Sequence, residues 1–383
     1  MKKVLIAHQI EYGATIPHYR IPFYNAIEKL KPDSWCFDVV FDPSDMKEKQ
    51  FLKKQLDTSQ FKFPTLKVNT MALKIVGKTI SYQGFWRKAS KYDLIVVGQV
   101  LNNLTYPLCQ LYQLTGTKFA YWGHGKHYTL EKKPFSKILS ESLKTKLAQK
   151  GDGFFAYTNG GKSYVTNQGL PANKVFVLNN TIDIKAQRNA FDQWSRKRDE
   201  IRHSLGLHDK KVLLFVGRFT KDKRLDFLIK AFSILHKKDA TFHLLLVGSG
   251  GEAYLNQHQT NVTYFGSITN LEKLAPIYIA ADIFSFPGLV GLGPLQALCY
   301  DLPIITIQSL FHKPEIEYLS PINSVILASD TTPEDYAQAI INLFGDAERL
   351  QKLKARTWHS IKHLTIDQMA QNFIQGVNEL LYL

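Results

Sequence analysis

The sequence predicts an α/β protein made of two successive doubly wound domains. Three observations carry this reading. Short apolar runs of the kind that form buried parallel strands recur in two separate series, helical or irregular segments lie between the runs, and a charged, polar stretch divides one series from the other. At 383 residues the chain is longer than one ordinary domain and suits two.

The first series opens with a strand over 2–7 (KKVLIA), followed by a turn containing Gly13. A helix after Pro22 then carries Phe23, Ala26, Ile27 and Leu30 on one face. Further strand runs fall at 36–41, 94–98, 119–122, 153–157 and 175–178. The second series comprises 212–216, 242–247, 262–265, 283–286, 304–307 and 325–327. Its helices are marked by Leu225, Leu228, Ile229 and Phe232, and by Ala337, Ile340, Ile341 and Phe344, both at i, i+3, i+4, i+7. Thr332 followed by Pro333 reads as an N-cap with proline in the first turn. The domains are expected at 1–188 and 203–366, with a linker at 189–202 inside the charged segment RNAFDQWSRKRDE, and with a terminal helix near 368–383 returning to the first domain. Open parallel sheets bind ligands at the carboxyl ends of their strands, so two such domains are expected to face a shared cleft.

With 45% hydrophobic and 12% aromatic residues the chain can build sizeable cores, which excludes a disordered class. No apolar run approaches the roughly 20 residues that span a bilayer, and the first residues lack a signal-peptide core, so a cytoplasmic location is expected. Cys36, Cys109 and Cys299 are scattered and odd in number, which fits neither a disulfide framework nor a metal site. Charge is one-sided: residues 1–190 hold 28 Lys and Arg against 13 Asp and Glu, whereas 191–383 hold 20 against 20. The first half is therefore expected to meet an anionic partner.

Residues 281–303 (ADIFSFPGLVGLGPLQALCYDLP) run from a strand through a Pro-Gly turn into an Ala/Leu helix. Gly288, Gly291 and Gly293 permit close backbone approach, and Pro294 suits the start of a helix. Free amides and the positive helix end then offer a place for a phosphate. An ordinary strand-to-helix turn has the same composition, and the stretch alone does not choose between the two.

The ordered series FVGRFTKDKRLDFLIKAF (215–232), LLLVGSG (244–250), VTYFGSI (262–268), the 281–303 stretch and HKPEIEYL (312–319) closely resembles the donor domain of family 4 of the retaining glycosyltransferases. In the first half, PHYRIPFYNAI (17–27), YWGHGK (121–126), DGFFAYTNGGKSYVTNQGL (152–170) and VLNNTID (177–183) look like the acceptor domain of members that build bacterial surface polysaccharides. The resemblance implies a GT-B fold of two Rossmann-like domains and a nucleotide-sugar donor, UDP favoured over GDP. It implies a glycan or lipid-linked acceptor of O-antigen, capsule or lipooligosaccharide type, retention of configuration and no metal ion.

It also implies roles for particular residues. Arg218 and Lys223 would bind the departing diphosphate, the arginine as a fork and the lysine as a mobile charge. His124, in WGHG at a strand end, would face the donor. Gly13, Phe265 and Gly266 would lie on the donor, the last two near its base, and Gly291, Leu292 and Gly293 would supply amides. Gln296 stands where the family has the second glutamate of its Glu-x7-Glu pair, and two readings stay open: contact with the ribose, or a cap for its own helix. The first glutamate is replaced by Gly288, and Glu315 is the candidate to compensate in part for it, against an exposed loop carboxylate or a charge at a helix N-terminus. His18 and Arg20 would meet the acceptor, Arg20 through a phosphate; Glu11 is an ordinary polar loop residue in this reading.

The lysine-rich segment 132–150 sets Phe135, Ile138, Leu139, Leu143 and Leu147 in one helical stripe. With KEKQFLKKQ (47–55) it predicts peripheral contact with an anionic inner-membrane surface, at on the order of 1 kcal/mol per lysine. Competing readings are a non-catalytic scaffold or glycan-binding protein, a nucleotide-sugar 2-epimerase, and a nucleic-acid binder, for which no reader module is present.

Overall fold

The computed structural model describes residues 1–7, 16–43, 58–75, 78–125, 135–250 and 261–382, with backbone alone at 75, 78 and 135–139. Glu11, Gly13 and the basic segment 47–55 lie outside the described residues. The chain divides into two compact units, one drawn from 1–180 with 366–382 and the other spanning 181–365.

The first unit contains a seven-stranded parallel sheet ordered β3-β2-β1-β6-β7-β8-β9. Its strands are β1 (Lys2–Ala7), β2 (Trp35–Phe41), β3 (Thr65–Lys67), β6 (Leu94–Gly98), β7 (Lys118–Gly123), β8 (Gly153–Ala156) and β9 (Val175–Val177). An antiparallel hairpin of β4 (Thr70–Ile75) and β5 (Lys78–Gln83) stands apart from it. Side chains alternate across the sheet: Val4, Ile6, Leu94, Val96 and Trp122 enter one core, while Leu5, Ala7, Ile95, Val97 and Tyr121 enter another. Helix α1 (Ile21–Leu30) covers the first face with Phe23, Ala26 and Ile27, although Leu30 turns to solvent. Helices α2 (Trp86–Ala89), α3 (Thr105–Gln110) and α4 (Phe135–Lys150) follow β5, β6 and β7, and α5 (Asn159–Asn167) follows β8.

In the second unit a six-stranded parallel sheet has the order β12-β11-β10-β13-β14-β15. These strands are β10 (Lys211–Val216), β11 (Phe242–Val247), β12 (Val262–Tyr264), β13 (Ile283–Ser285), β14 (Ile304–Ile307) and β15 (Ser324–Leu327). Strand order reverses between β10 and β13, so their carboxyl ends form the switch point where open α/β sheets leave a crevice.

Residues 189–202, where the sequence suggests a linker, are mostly helical and belong to this second unit. They fall in α6 (Ile184–Trp194), a short 3-10 turn and α7 (Arg198–Ser204). Asp183 caps α6 by accepting from Ala186 N–H at 3.0 Å, and Ile184 and Ala190 bury its apolar side; of the charges that suggested a linker, Asp192, Arg196 and Lys197 are exposed, whereas Arg188, Arg198 and Arg202 turn inward to Asp301 and Asp282. Helices α8 (Leu225–Lys238), α9 (Leu271–Ala280), α10 (Leu292–Leu298), α11 (Pro333–Gly345) and α12 (Ala347–Ile361) complete the unit. Thr332 and Asp335 form a reciprocal capping box at the start of α11. The last helix, α13 (Ile366–Tyr382), belongs to the first unit and buries Met369, Phe373 and Val377 beside Phe23 and Trp122.

Candidate active site

Three loops leave the carboxyl ends of β10, β13 and β14 and are tied to one another by hydrogen bonds. The β10 loop holds Arg218, which is exposed, and Lys223, which is half-buried. Leu289 N–H donates to the Asp222 carbonyl at 2.9 Å, and Lys223 Nζ donates to the Leu289 carbonyl at 2.6 Å. Gly288 makes the junction possible: a methyl group there would fall 2.4 Å from the Cα, carbonyl carbon and oxygen of Lys223. Any side chain at this position, a carboxylate included, would displace backbone. Gly288, expected as a donor contact, is thus first a packing residue.

His312 fastens the β14 loop to the β13 loop. Its Nδ1 accepts from Val290 N–H at 3.0 Å and its Nε2 donates to the Ile307 carbonyl at 2.9 Å, which identifies the neutral Nε2–H tautomer. Burial lowers its pKa, partly offset by the bond to Ile307. Lys313 N–H donates to the Val290 carbonyl at 2.9 Å, and its side chain runs past Gly291. The sequence shows both within HKPEIEYL but gives neither a role, because their partner Val290 lies 22 residues or more away in the chain.

The site's electrostatics are mixed. Burial pulls Lys223 below the usual lysine range, while Asp222, 3.4 Å away, pushes it back. Burial also lowers Lys313, and the nearby Lys223 charge adds to that. Glu315 is 5% exposed and its charge supports both lysines. It is therefore a buried member of a cluster with Arg218, Asp222, Lys223 and Lys313, not an exposed loop carboxylate.

Helix α10 begins at Gly291, whose N-cap position has no side-chain bond, so Leu292 and Gly293 stand in its first turn and Pro294 is the third residue instead of the first. Gln296 does not cap this helix. Its Nε2 donates to Gln187 Oε1 on α6 at 3.0 Å, and the Tyr300 hydroxyl donates to the same oxygen at 3.1 Å. Phe265 and Gly266 lie just past β12: Phe265 N–H donates to the Leu246 carbonyl at 3.0 Å, and the Gly266 carbonyl accepts from Gly248 N–H at 2.8 Å.

In the first unit, His124 follows β7 and meets the Tyr157 ring edge-on, with centroids 4.3 Å apart. His18 is exposed. Arg20, expected to hold an acceptor phosphate, is 1% exposed and lies among the rings of Tyr19, Phe23, Trp122 and Tyr157, with guanidinium-to-centroid distances of 5.2–6.0 Å. Its Nη1 contacts Met369 Sδ at 3.6 Å, and, against the cost of burial, the Tyr157 hydroxyl and the neighbouring rings hold its charge. The position expected to face a ligand is instead inside the core, because the aromatic residues around it close over the guanidinium.

Leu143 on α4, placed by its spacing in an inward apolar stripe, is 48% exposed. No described helix is long and apolar enough to cross a membrane. Among the described residues, no group of three His, Cys, Asp or Glu side chains is arranged to hold a metal ion.

Comparison with known proteins agrees with this geometry. Residues 210–346 match the family model "Glycosyl transferases group 1". The spore coat protein SA of Bacillus subtilis is 26% identical over 189 residues, covering 45% of this chain and 50% of that protein. An uncharacterised 41.2 kDa protein in the cps region of Klebsiella pneumoniae is 24% identical over 191 residues, covering 49% and 51%. The chain thus spans about half the length of these curated relatives. In three dimensions it superposes on Anabaena Alr3699/HepE, solved in complex with UDP, with a TM-score of 0.71 over 99% of this chain and 100% of the other, at 14% identity. Residues 210–346 are thus similar to the group 1 (family 4) glycosyltransferases, and the chain as a whole has the two-sheet GT-B fold.

Proposed function

We propose that this protein transfers a sugar, with retention, from a nucleoside-diphosphate sugar to a glycan or lipid-linked acceptor in bacterial surface-polysaccharide assembly. One observation carries the reading: the switch point of the second sheet gathers Arg218, Lys223 and Lys313 beside the uncapped start of α10. These are the groups a departing diphosphate needs, because positive charge and free amides stabilise the negative charge that grows as the glycosidic bond breaks. Retention is accounted for by attack on the same face of the sugar, with the leaving phosphate taking the acceptor's proton. Side-chain and backbone charge supply this stabilisation without a metal ion in the scheme.

UDP is favoured as the donor nucleotide, since the structural neighbour HepE was solved with it. The Klebsiella relative in a cps region favours a capsule-type glycan. Exposed Leu143, Lys146 and Lys150 on α4 favour peripheral contact with an anionic membrane. His124 and His18 remain the candidates on the first unit for donor and acceptor contacts.

The test is a thermal-shift panel of UDP, GDP, ADP and CMP, followed by chromatography of the matching sugar nucleotide with and without a lipid-linked acceptor. A UDP shift with acceptor-dependent release of UDP is the expected result. A 2-epimerised sugar nucleotide formed without acceptor would replace the reading with that of an epimerase, and no nucleotide shift at all would favour a scaffold.

A further inference from the structure

The charged segment that reads as a linker builds a pocket at the amino-terminal ends of the central strands of the second sheet, opposite to the three loops. Asp282 marks that end: its carboxylate accepts Val212 N–H at the start of β10, at 2.9 Å, and the next residue begins β13. A pocket of about 280 Å³ opens beside it, with Phe191 and Tyr300 among its walls and Arg198 and Lys354 among its polar lining.

The arginines of α7 are partly spent on structure. Arg198 donates to the carbonyls of Ile279 at 3.0 Å and Ala281 at 2.9 Å, and Arg202 donates to Ala280 at 2.8 Å, which satisfies acceptors that the end of α9 leaves unpaired. Both also bind Asp282, Arg198 at 2.7 Å and Arg202 at 3.3 Å. Lys354 reaches the same carboxylate only at 3.4 Å, on the oxygen Arg198 already holds. Three cations therefore share one carboxylate. The other pocket acid, Asp301, is engaged by Arg188 at 2.8 Å, with Asp192 a further 3.8 Å partner of that arginine.

Unspent donors remain. An ammonium has three protons and a guanidinium five; among the described residues Lys354 uses one, through its long bond, and no hydrogen bond engages Arg198 Nη1. Lys354 is half-buried, and desolvation together with Arg198 and Arg202 lowers its pKa, against the pull of Asp282. A bound anion would relieve these costs.

We infer that this pocket binds a phosphate-bearing small ligand, its phosphate on Arg198 and Lys354 and its body against Phe191 and Tyr300. The volume is at the low end for ligand sites, about that of a sugar phosphate rather than a whole nucleotide sugar. This inference does not rest on the donor-site reading, because none of the cations gathered at the donor site lines this pocket.

The test is thermal shift and calorimetry with inorganic phosphate and glucose 1-phosphate, against sodium chloride at equal ionic strength. Wild type, Lys354→Gln and Lys354→Arg are compared, with UDP as the control for the other site. A saturable phosphate shift in wild type that weakens at least tenfold in Lys354→Gln, and survives in Lys354→Arg, with the UDP shift unchanged in both, is expected. Flotation with phosphatidylglycerol vesicles distinguishes the source: loss of flotation in Lys354→Gln identifies a lipid headgroup, and unchanged flotation a soluble phosphate. No phosphate shift in wild type, or an equal one in Lys354→Gln, would overturn the assignment.

Discussion

Gly288 and Lys223 touch through their backbones: a β-carbon at Gly288 would lie 2.4 Å from three main-chain atoms of Lys223. Two loops that rise from neighbouring strands are thereby pressed into one unit, and the lysine's ammonium is locked to Leu289 at 2.6 Å. The missing glutamate of the family motif is accordingly not an open space beside the donor. It is occupied by main chain.

Gly288→Ala is therefore expected to cost about 1–3 kcal/mol, the usual range for overpacking, and to weaken UDP binding through movement of Lys223. Gly288→Glu should do more damage and restore no activity. Denaturant melts and UDP titrations check both. A stable, fully active Gly288→Glu protein would show that the loops separate readily.

His312→Ala removes the side-chain bond between the β13 and β14 loops, along with the bond to Ile307 that anchors the ring, and leaves the buried Val290 amide unpaired, at about 1–3 kcal/mol; the Lys313 N–H bond to the Val290 carbonyl stays. Donor affinity should fall along with stability. His312→Asn is the sharper comparison, since an amide can accept from Val290 and recover part of the loss. Equal melting temperatures in all three proteins would contradict the brace.

A pH dependence follows from His243, whose pKa burial lowers from 6.5 to about 4. The unfolded chain then takes up its proton first as pH falls. Stability from this group is complete above about pH 6.5 and is lost on the way down to about pH 4. The melting temperature of wild type should drop through that window more steeply than that of His243→Gln, in which the titrating group is gone. Parallel curves would rule His243 out as the source.

Arg20 is enclosed by four rings in the core of the first unit. Lysine is a poor replacement, being a compact and strongly hydrated charge without a planar face. Arg20→Lys is expected to lose about 1–3 kcal/mol of stability, the ordinary range for a disturbed buried site, with UDP affinity unchanged. A variant of normal stability that fails only with a phosphorylated acceptor would return Arg20 to the role its sequence context suggests.

Much of the architecture was legible because strand runs such as Leu244–Val247 and the Leu225, Leu228, Ile229, Phe232 stripe are local patterns, and all of these residues are buried. The cluster at Arg218 and Lys223 was legible for a similar reason, since a basic loop after an apolar strand is a short-range signal. What escaped depends on partners distant in the chain. Gln296 finds Gln187, 109 residues away, and His312 finds Val290, 22 away. Arg20 meets Met369, 349 residues on. The edge strand Thr65–Lys67 is too short for periodicity to register. The charges of 184–204 advertise solvent, while the burial of Ile184, Ala190 and Ile201 shows only after folding.

The central claim is that the switch point of the second sheet holds the donor diphosphate, and calorimetric UDP binding to wild type and Arg218→Ala tests it most directly. The account predicts saturable binding in wild type and a loss of at least about tenfold, ~1.4 kcal/mol, in the variant, at an unchanged melting temperature. Equal UDP affinity in the two proteins would contradict it.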